Sequence, residues 1–502
     1  MKIDYLWHSE FLMELENKNS QKVRILCDAW LSDYACWDMM WRNPTFKIDY
    51  NTIWKIDAVF LSHSHTDHVD PYTLIDLYKK LDHKPVLLIP ETIEFLVPLF
   101  EKYLQNPEII ILKNKQEIEF LWIKILWFVF DTNFITNEDD VMWLFVYNEI
   151  EILFNEVDLV PPELEEVHEY MFKIFTRHNF QQRVYIATRN ELEWNLQILD
   201  VEPNKRKSYA KEYKKRRSEE IEFDYMKHIE EYVEYPDIFS LPNMNKIFIG
   251  QWITYPKSLN PDFLKFQVMT LPEEVGIEKR FSVMYGKNLH IDFLEASKSF
   301  VINNNSVKYN WDIPYLNDVD FCKQQNDFSL DITRNTLKEP MNNDSRNNSE
   351  IEDKVFSIIN NRFLPYRFAN KQDCIKSVIL HSQDRNYNIL VKFGTSQDYT
   401  NVVFQYNFSQ TKFIKTPYVN QKIDEEYWGN DLDDYLEWKQ ELYSNFHHTL
   451  DSKKAYRLWT CLWSNYINND LLYNKYAYHF EQANNGKTSW DFVLPVYKKL
   501  EQ

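Results

Sequence analysis

The chain has 502 residues, of which 44% are apolar and 16% aromatic, and its net charge is −19. This composition excludes general disorder, and the length predicts about two to four domains. The negative charge disfavours nucleic acid as the main partner, because phosphate binding needs a cationic face. A basic run lies between Lys205 and Arg217, but its acidic neighbours favour a solvated helix.

Several other classes of protein are disfavoured by what the sequence lacks. No run of about 18 apolar residues occurs, so we expect no membrane span. The start Met1-Lys2-Ile3-Asp4 lacks the pattern of a signal peptide, which makes the cytoplasm the expected location. The five cysteines are scattered and form no CxxC pair, which argues against a disulfide framework and a cysteine-built metal site. No glycine precedes Gly250, so Gly-rich phosphate loops are excluded from the first half.

Strand and helix signals alternate along the first half of the chain. Tyr5 with its neighbours and the segment 23–26 are typical of a hairpin, and 57–62 predicts a short buried strand. A helix is expected immediately afterwards, because Asp70 is a good N-cap and Pro71 suits the first helical position. Further strands are expected at 86–89, 109–112, 118–130 (one strand or a hairpin), 141–147, 149–154, 183–187 and 246–250, and helices at 92–104 and from 161 onward.

These elements predict an α/β fold in which sheets carry helices on their outer sides. We place the first domain at residues 1–265 and a connecting segment at 266–354. Within that segment, 342–350 is typical of an exposed polar linker. A smaller α+β domain of unknown role is expected at 355–502, with strands near 377–381, 387–393 and 402–406.

The feature with the clearest chemical meaning is His63-Ser64-His65-Thr66-Asp67-His68, which directly follows the predicted strand at 57–62. Imidazole and carboxylate groups suit Zn²⁺ or Fe²⁺, and two metals a few ångströms apart would create a nucleophilic hydroxide at neutral pH. The alternative is that these histidines merely pack. A chance HxHxDH between a buried strand and a capped helix is improbable, so we predict a metal site with one or two ions.

At these residues the sequence resembles the metallo-β-lactamase superfamily. Together with Cys27-Asp28-Ala29-Trp30-Leu31, the segment 62–70 looks like the branch that contains L-ascorbate-6-phosphate lactonase. His8-Ser9 is similar to an early Gly-His-Ser/Ala segment of that branch, with Trp7 in place of the glycine. The segment 151–158 resembles the CMP-N-acetylneuraminate hydroxylase group. The resemblance covers about residues 1–260 and implies an αββα sandwich.

The resemblance also implies roles for individual residues. His63 and His65 would bind a first metal, Asp67 and His68 a second, and Asp158 would bridge the two or simply cap a strand. The histidine that the family uses as the third ligand of the first metal has no counterpart here. Asp131 is the best substitute ligand, and the alternative for Asp131 is a capping or turn role. The family's last histidine is also missing. His8 would lie beside the metals as a catalytic or substrate-contacting group, or pack in its strand.

Three functions follow from this incomplete set of ligands. The first is hydrolysis of an ester, lactone or phosphoester by a metal-bound hydroxide that Asp67 or Asp158 orients. The second is oxygenation at non-haem iron, because two histidines and one carboxylate suit Fe(II) chemistry. An electron donor would then be a separate protein, since no CxH…CxxH pair occurs. The third is a scaffold with a degenerate metal site. In the first two, the substrate is expected to be a small molecule.

Overall fold

A computed structural model of the chain describes the residues 1–35, 40–42, 44–53, 55–65, 67–130, 141–157, 165–190, 211–212, 214–219, 221–222, 238–251, 271–287, 289–303, 306–320, 340, 346–363, 388–407, 410, 412–421, 423, 425–436, 445–446 and 469–491. No helix in these ranges is both long enough and apolar enough to cross a membrane.

The strands up to residue 130 are β1 (Lys2–Trp7), β2 (Glu10–Glu16), β3 (Lys22–Cys27), β4 (Tyr34–Ala35), β5 (Met40–Trp41), β6 (Thr45–Ile48), β7 (Ala58–Phe60), β8 (Val86–Pro90), β9 (Ile109–Leu112), β10 (Glu117–Phe120) and β11 (Ile123–Phe130). The next are β12 (Val141–Tyr147), β13 (Glu151–Asn155), β14 (Gln182–Asn190), β15 (Met244–Gln251), β16 (His290–Phe293), β17 (Lys298–Asn303), β18 (Ser306–Asp312) and β19 (Leu316–Asp320). The helices of this part are α1 (Tyr50–Ile53), α2 (Pro71–Lys80), α3 (Val97–Tyr103), α4 (Glu165–Phe175) and α5 (Leu271–Met284).

Two large sheets pack face to face. In the described part of the chain, one sheet has the order β18-β17-β1-β2-β3-β7-β8-β9 and the other has the order β10-β11-β12-β13-β14-β15-β16. Apolar side chains from both fill the space between them, for example Tyr5 and Phe60 from the first sheet and Trp127 from the second. Because strand side chains alternate in direction, each sheet also presents an apolar outer face.

Helices cover both outer faces. On the first sheet, Leu74 and Leu77 of α2 and Phe100 of α3 share a core with Leu26 and Leu87. On the second sheet, α4 and α5 pack over residues of β12 to β15. The order of layers is therefore helix, sheet, sheet, helix, and the predicted α/β fold with an αββα sandwich is confirmed.

The remaining described elements form a smaller mixed unit. They are helix α6 (Asn348–Ile358), a π-helical turn at Ile359–Phe363, strands β20 (Asn388–Gly394), β21 (Tyr399–Asn407), β22 (Lys412–Pro417) and β23 (Glu425–Trp428), helix α7 (Gly429–Leu436), strand β24 (Asn445–Phe446) and helix α8 (Asn469–Asn484). The five strands form one sheet in the order β22-β21-β20-β23-β24. Helix α8 packs on the sandwich, with Tyr476 and Phe480 in the same core as α2 and α3.

Two predicted boundaries differ from the structure. The first domain was expected to end at residue 265, which is too early, because β17 pairs with β1 and β16 with β15. The sandwich therefore extends at least to β18. The end of the predicted linker is helical, since α6 begins at Asn348. The strand expected at 377–381 lies outside the described residues.

Two predicted elements change form for reasons that the sequence contains. The helix expected at 92–104 is a 3₁₀ segment, Glu91–Leu96, followed by α3, and Pro98 lies in the first turn of α3. Proline has no N–H and cannot sit inside a continuous helix, so the helix restarts there. The segment 118–130 is a hairpin, β10 with β11, which turns at Leu121 with a positive φ of 56°.

Candidate metal centre

The HxHxDH turn lies where two parallel strands end. Strands β3 and β7 are paired so that Cys27 lies beside Phe60, and both chains then leave the sheet. The Asp28 amide donates to the Phe60 carbonyl (2.8 Å), and one Asp28 carboxylate oxygen accepts the Ser62 amide (2.8 Å). The pairing of these strands therefore places Asp28 against the start of the turn.

Helix α2 holds the other end of the turn. As predicted, Asp70 is its N-cap and accepts hydrogen bonds from the amides of Tyr72 and Thr73, with Pro71 as the first helical residue. The amide of Ala29 donates to the His68 carbonyl (3.0 Å), which ties the turn to the end of β3 as well. The turn is thus fixed between a strand end and a capped helix.

Asp28 also orients His68. Its second carboxylate oxygen lies 2.8 Å from His68 Nδ1, and both side chains are fully buried. A carboxylate can only accept, so Nδ1 carries the proton and Nε2 keeps its lone pair. Histidines that bind metals commonly have such a carboxylate behind them. Asp28 was missed as a site residue, although it lies in the segment 27–31 that carries the family resemblance.

His8 reaches the turn from the opposite direction. It lies with Ser9 in the two-residue loop between β1 and β2, at a positive φ of 52°. Its Nε2 is 3.0 Å from Asp67 Oδ2, and its Nδ1 has no hydrogen-bond partner among the described residues. The ring packs edge-on against Trp30 with 5.5 Å between ring centroids.

These contacts assemble one group with metal-binding geometry. His8, Asp67 and His68 each offer a ligand atom, these atoms lie within 4.8 Å of one another, and all three residues are buried. Two imidazoles and one carboxylate are a ligand set of zinc and non-haem iron sites. In the described chain, this group joins two residues predicted as ligands, Asp67 and His68, with one predicted as a catalytic neighbour, His8.

His63 and His65 lie beside this group. The His63 ring centroid is 4.0 Å from that of His68 and 4.3 Å from that of His65. The Ser62 hydroxyl is 2.9 Å from His63 Nδ1 and 3.3 Å from His68 Nδ1, so it contacts both rings. The imidazoles of the motif therefore cluster, as the spacing predicts, next to the His8–Asp67–His68 group.

The neighbouring imidazoles stabilise the ionised form of the Asp67 carboxyl. Burial disfavours its ionised form, but the nearby His68 and His8 outweigh that effect and hold the pKa of the Asp67 carboxyl well below its usual range. Asp67 is therefore an anion at neutral pH. A buried anion between imidazoles is suited to a bound cation, which would take the place of the proton on His8 Nε2.

A further buried carboxylate was not recognised from the sequence. Glu10, at the start of β2, is fully buried, and neither of its oxygens has a hydrogen-bond partner among the described residues. Burial raises its pKa well above the usual value, and His68, Asp28 and Asp67 all act on its charge. The sequence signal that could have revealed Glu10 is the alternation of side chains along β2, which directs position 10 to the interior.

Two of the predicted ligands cannot be placed. Asp131 follows the end of β11 and Asp158 follows Val157, and both lie outside the described residues. Nearby, Glu156 accepts hydrogen bonds from the Tyr185 hydroxyl (2.7 Å) and the Thr188 amide (2.6 Å). That carboxylate therefore holds β13 and β14 together.

The C-terminal helix α8 contacts the HxHxDH turn directly. The Tyr476 hydroxyl donates to the backbone carbonyl of Ser64 (2.6 Å), in the middle of the motif. One helical turn further, His479 Nδ1 is 3.1 Å from the Tyr72 hydroxyl of α2. His479 is thus buried where α8 packs on α2, while the contact of Tyr476 had no signal in the sequence.

Comparisons with known proteins give a limited result. No protein-family model matches the chain. A curated UPF0173 metal-dependent hydrolase from Thermofilum pendens is 34% identical over 68 residues, which are 14% of this chain and 26% of that protein. The chain thus matches about a quarter of the length of this relative.

Solved structures are similar to parts of the chain at low identity and low TM-score. The metallo-β-lactamase fold protein YhfI from Bacillus subtilis is similar over 60% of this chain and 99% of its own, with 9% identity and a TM-score of 0.29. The diiron β-hydroxylase CmlA from Streptomyces venezuelae is similar over 37% of this chain and 34% of its own, with 10% identity and a TM-score of 0.26. A diphosphatase of the PhnP family is similar over 36% of this chain and 60% of its own, with 13% identity and a TM-score of 0.21.

Proposed function

We propose that the chain is a metal-dependent enzyme that hydrolyses an ester, lactone or phosphoester of a small molecule. The observation that carries the proposal is the buried group of His8, Asp67 and His68, whose ligand atoms lie within 4.8 Å of one another. His63 and His65 would complete the site, with Asp158 as a bridging carboxylate and Asp131 as a substitute ligand. The short similarity to a metal-dependent hydrolase supports the same conclusion.

The residues present fit one or two ions of zinc or iron. Burying three polar side chains together is costly unless each is paired or binds a metal. Asp28 fixes His68 so that the lone pair on Nε2 is available, and Asp67 is held as an anion. Such a metal would lower the pKa of a bound water and polarise the bond to be cleaved.

The protein's own residues would position the reactants. Trp30 and the sheet side chains behind His8 exclude water from one side of the site. The left-handed backbone at His8 directs its imidazole toward Asp67, so that both side chains would face the same metal ion.

A second candidate function is oxygenation at non-haem iron. The specific observation is the composition of the group, two imidazoles with one carboxylate, which is the ligand pattern of Fe(II) oxygenases. In that case a separate electron-donor protein is required. A non-catalytic scaffold with a degenerate site is the remaining alternative.

Metal analysis of the protein purified without added metal distinguishes these functions. Zinc with activity on an ester, lactone or phosphoester panel is the expected result. Iron with an optical response to O₂ would favour oxygenation, and absence of bound metal would contradict both enzymatic functions. His63→Ala and Asp67→Asn should abolish activity, whereas the exposed His83→Ala serves as the matched control. Full activity in His63→Ala would overturn the proposal.

A further inference from the structure

A cavity of about 360 Å³ lies outside the metal-binding turn. It is enclosed by the segment from β6 to α1, by α2 and by the chain that follows α8. The residues that matter most for its chemistry are Arg42, Tyr50, Tyr72, Lys80 and Lys487. Its volume is within the range of small-molecule sites, and among the described residues no histidine lines it.

The walls of this cavity are cationic in a chain that is strongly anionic. Arg42, Lys47, Lys80 and Lys487 line it, against the acids Asp33 and Asp76. Three of the cations are in salt bridges, because Arg42 pairs with Asp33 (2.9 Å), Lys80 with Asp76 (2.6 Å) and Lys47 with Asp318 (2.8 Å), of which only Asp318 lies outside the lining. The Lys487 side chain also lines the cavity, and its charge helps to lower the pKa of the nearby Asp491 carboxyl without a salt bridge between the two among the described residues.

Arg42 is built into the wall of the cavity. It is buried, and its guanidinium contacts the Leu31 carbonyl, the Phe46 carbonyl (2.6 Å) and the Phe46 ring, 3.7 Å from the ring centroid. Its Nε has no partner among the described residues. Burial lowers the pKa of Arg42 to about 10, so it stays charged at neutral pH. The guanidinium is therefore a fixed positive charge in the wall, which attracts anions at short range.

The rest of the lining is apolar or aromatic. Phe46, Ile48 and Ala483 contribute apolar surface, and the Tyr50 and Tyr72 rings lie between them and the charged groups. The Tyr50 hydroxyl has no hydrogen-bond partner in the described part of the chain, and Lys80 Nζ lies 5.0 Å from the centroid of its ring. An apolar body and a negatively charged end would both find complementary surface here.

We propose that this cavity binds a small organic anion, a carboxylate or phosphonate-like oxyanion attached to an apolar or aromatic body, at a site separate from the metal centre. The oxyanion would contact Lys487 and be attracted by the positive charge of Arg42 in the wall, and the body would lie against Tyr50 and Phe46. Because α2 and the end of α8 form two of the walls, the ligand would contact the same two helices that hold the metal-binding turn.

Calorimetric titration of the full chain with phenylphosphonate tests this site, because its carbon–phosphorus bond resists hydrolysis by the proposed enzyme. We expect saturable binding of one molecule per chain. Binding should be roughly five- to tenfold weaker in Lys487→Gln and in Lys80→Gln, through loss of a charge-assisted contact or of the charged wall. Lys113→Gln, an exposed lysine outside the cavity, should bind as the parent chain does, and neutral benzyl alcohol should bind less well.

Two results would overturn the proposal. One is the absence of saturable phenylphosphonate binding, or equal binding by all three lysine variants. The other is loss of binding in Asp67→Asn, which would place the anion at the metal centre instead. Retained binding in Asp67→Asn supports the separate site whether or not the chain is a hydrolase, so the two proposals fail independently.

Discussion

The Tyr476 hydroxyl donates a 2.6 Å hydrogen bond to the Ser64 carbonyl, although the two residues are 412 positions apart in the chain. Ser64 lies between His63 and His65, so this bond connects the C-terminal helix α8 to the centre of the HxHxDH motif. The backbone conformation at Ser64 sets the directions of both neighbouring imidazoles. The C-terminal unit therefore takes part in shaping the site.

Tyr476→Phe removes this bond and keeps the ring. We expect the free energy of unfolding to fall by about 1 kcal/mol, the usual net value of one buried hydrogen bond. Zinc affinity should fall roughly tenfold, because the motif is less rigidly held. Competition with a zinc-binding dye measures the affinity. Tyr473→Phe, in the same helix and core, is the control, and equal losses in both variants would contradict this role.

Asp28→Asn tests whether the carboxylate behind His68 supports metal binding. Asparagine can adopt the left-handed conformation found at Asp28 (φ 55°) and can still accept the Ser62 amide. It lacks the charge that favours a protonated Nδ1 on His68. Metal affinity should drop about 10- to 100-fold at little cost in folding. Asp57→Asn, which alters a buried carboxylate that accepts the Arg24 amide, should leave metal affinity unchanged.

Glu10→Met should stabilise the metal-free protein. The substitution replaces a buried carboxyl that lacks hydrogen-bond partners among the described residues with an apolar side chain of similar size. We expect the free energy of unfolding in EDTA to rise by about 1–3 kcal/mol. Glu14→Met, on the same strand, loses ion pairs with Lys22 and Arg24 and should lower the free energy of unfolding. A similar decrease in both variants, measured by urea unfolding, would show that Glu10 is structurally paired.

His479 should make the protein less stable in acid. Burial and the nearby Lys475 hold its pKa well below the ordinary 6.5, so the fold favours the neutral ring, whose Nδ1 lies 3.1 Å from the Tyr72 hydroxyl. The unfolded chain takes up the proton at a higher pH than the folded chain does. The stabilising contribution is therefore complete above pH 6.5 and is lost as the pH falls below that value.

Urea unfolding in EDTA at several pH values measures this effect. Below the ordinary histidine pKa, the parent chain should lose about 1.4 kcal/mol per pH unit more than His479→Gln does. Exposed His83→Gln should follow the parent chain. Parallel pH dependences for the parent and His479→Gln would show that the ring is not protonated on unfolding.

Local elements and the clustering of the motif's histidines were predictable because their causes lie within a few residues. Pro71 behind the Asp70 cap begins α2, the apolar run before residue 61 forms β7, and the histidines between them meet on one short turn. Hydrophobic periodicity and helix capping depend on residues within one or two turns of a helix or a few residues of a strand. The same reasoning failed at the predicted boundary of residue 265, because strand pairing such as β1 with β17 joins segments that no local pattern relates.

The sequence alone determined that the HxHxDH turn follows a buried strand and precedes a capped helix, since residue type, spacing and alternation decide those features, whereas the αββα order was implied by the family resemblance. Only the tertiary structure decided which groups surround the turn. His8 arrives from a hairpin loop, Asp28 from the end of a neighbouring parallel strand and Tyr476 from a helix near the C-terminus. Those contacts depend on strand register and on helix packing, which are properties of the whole fold.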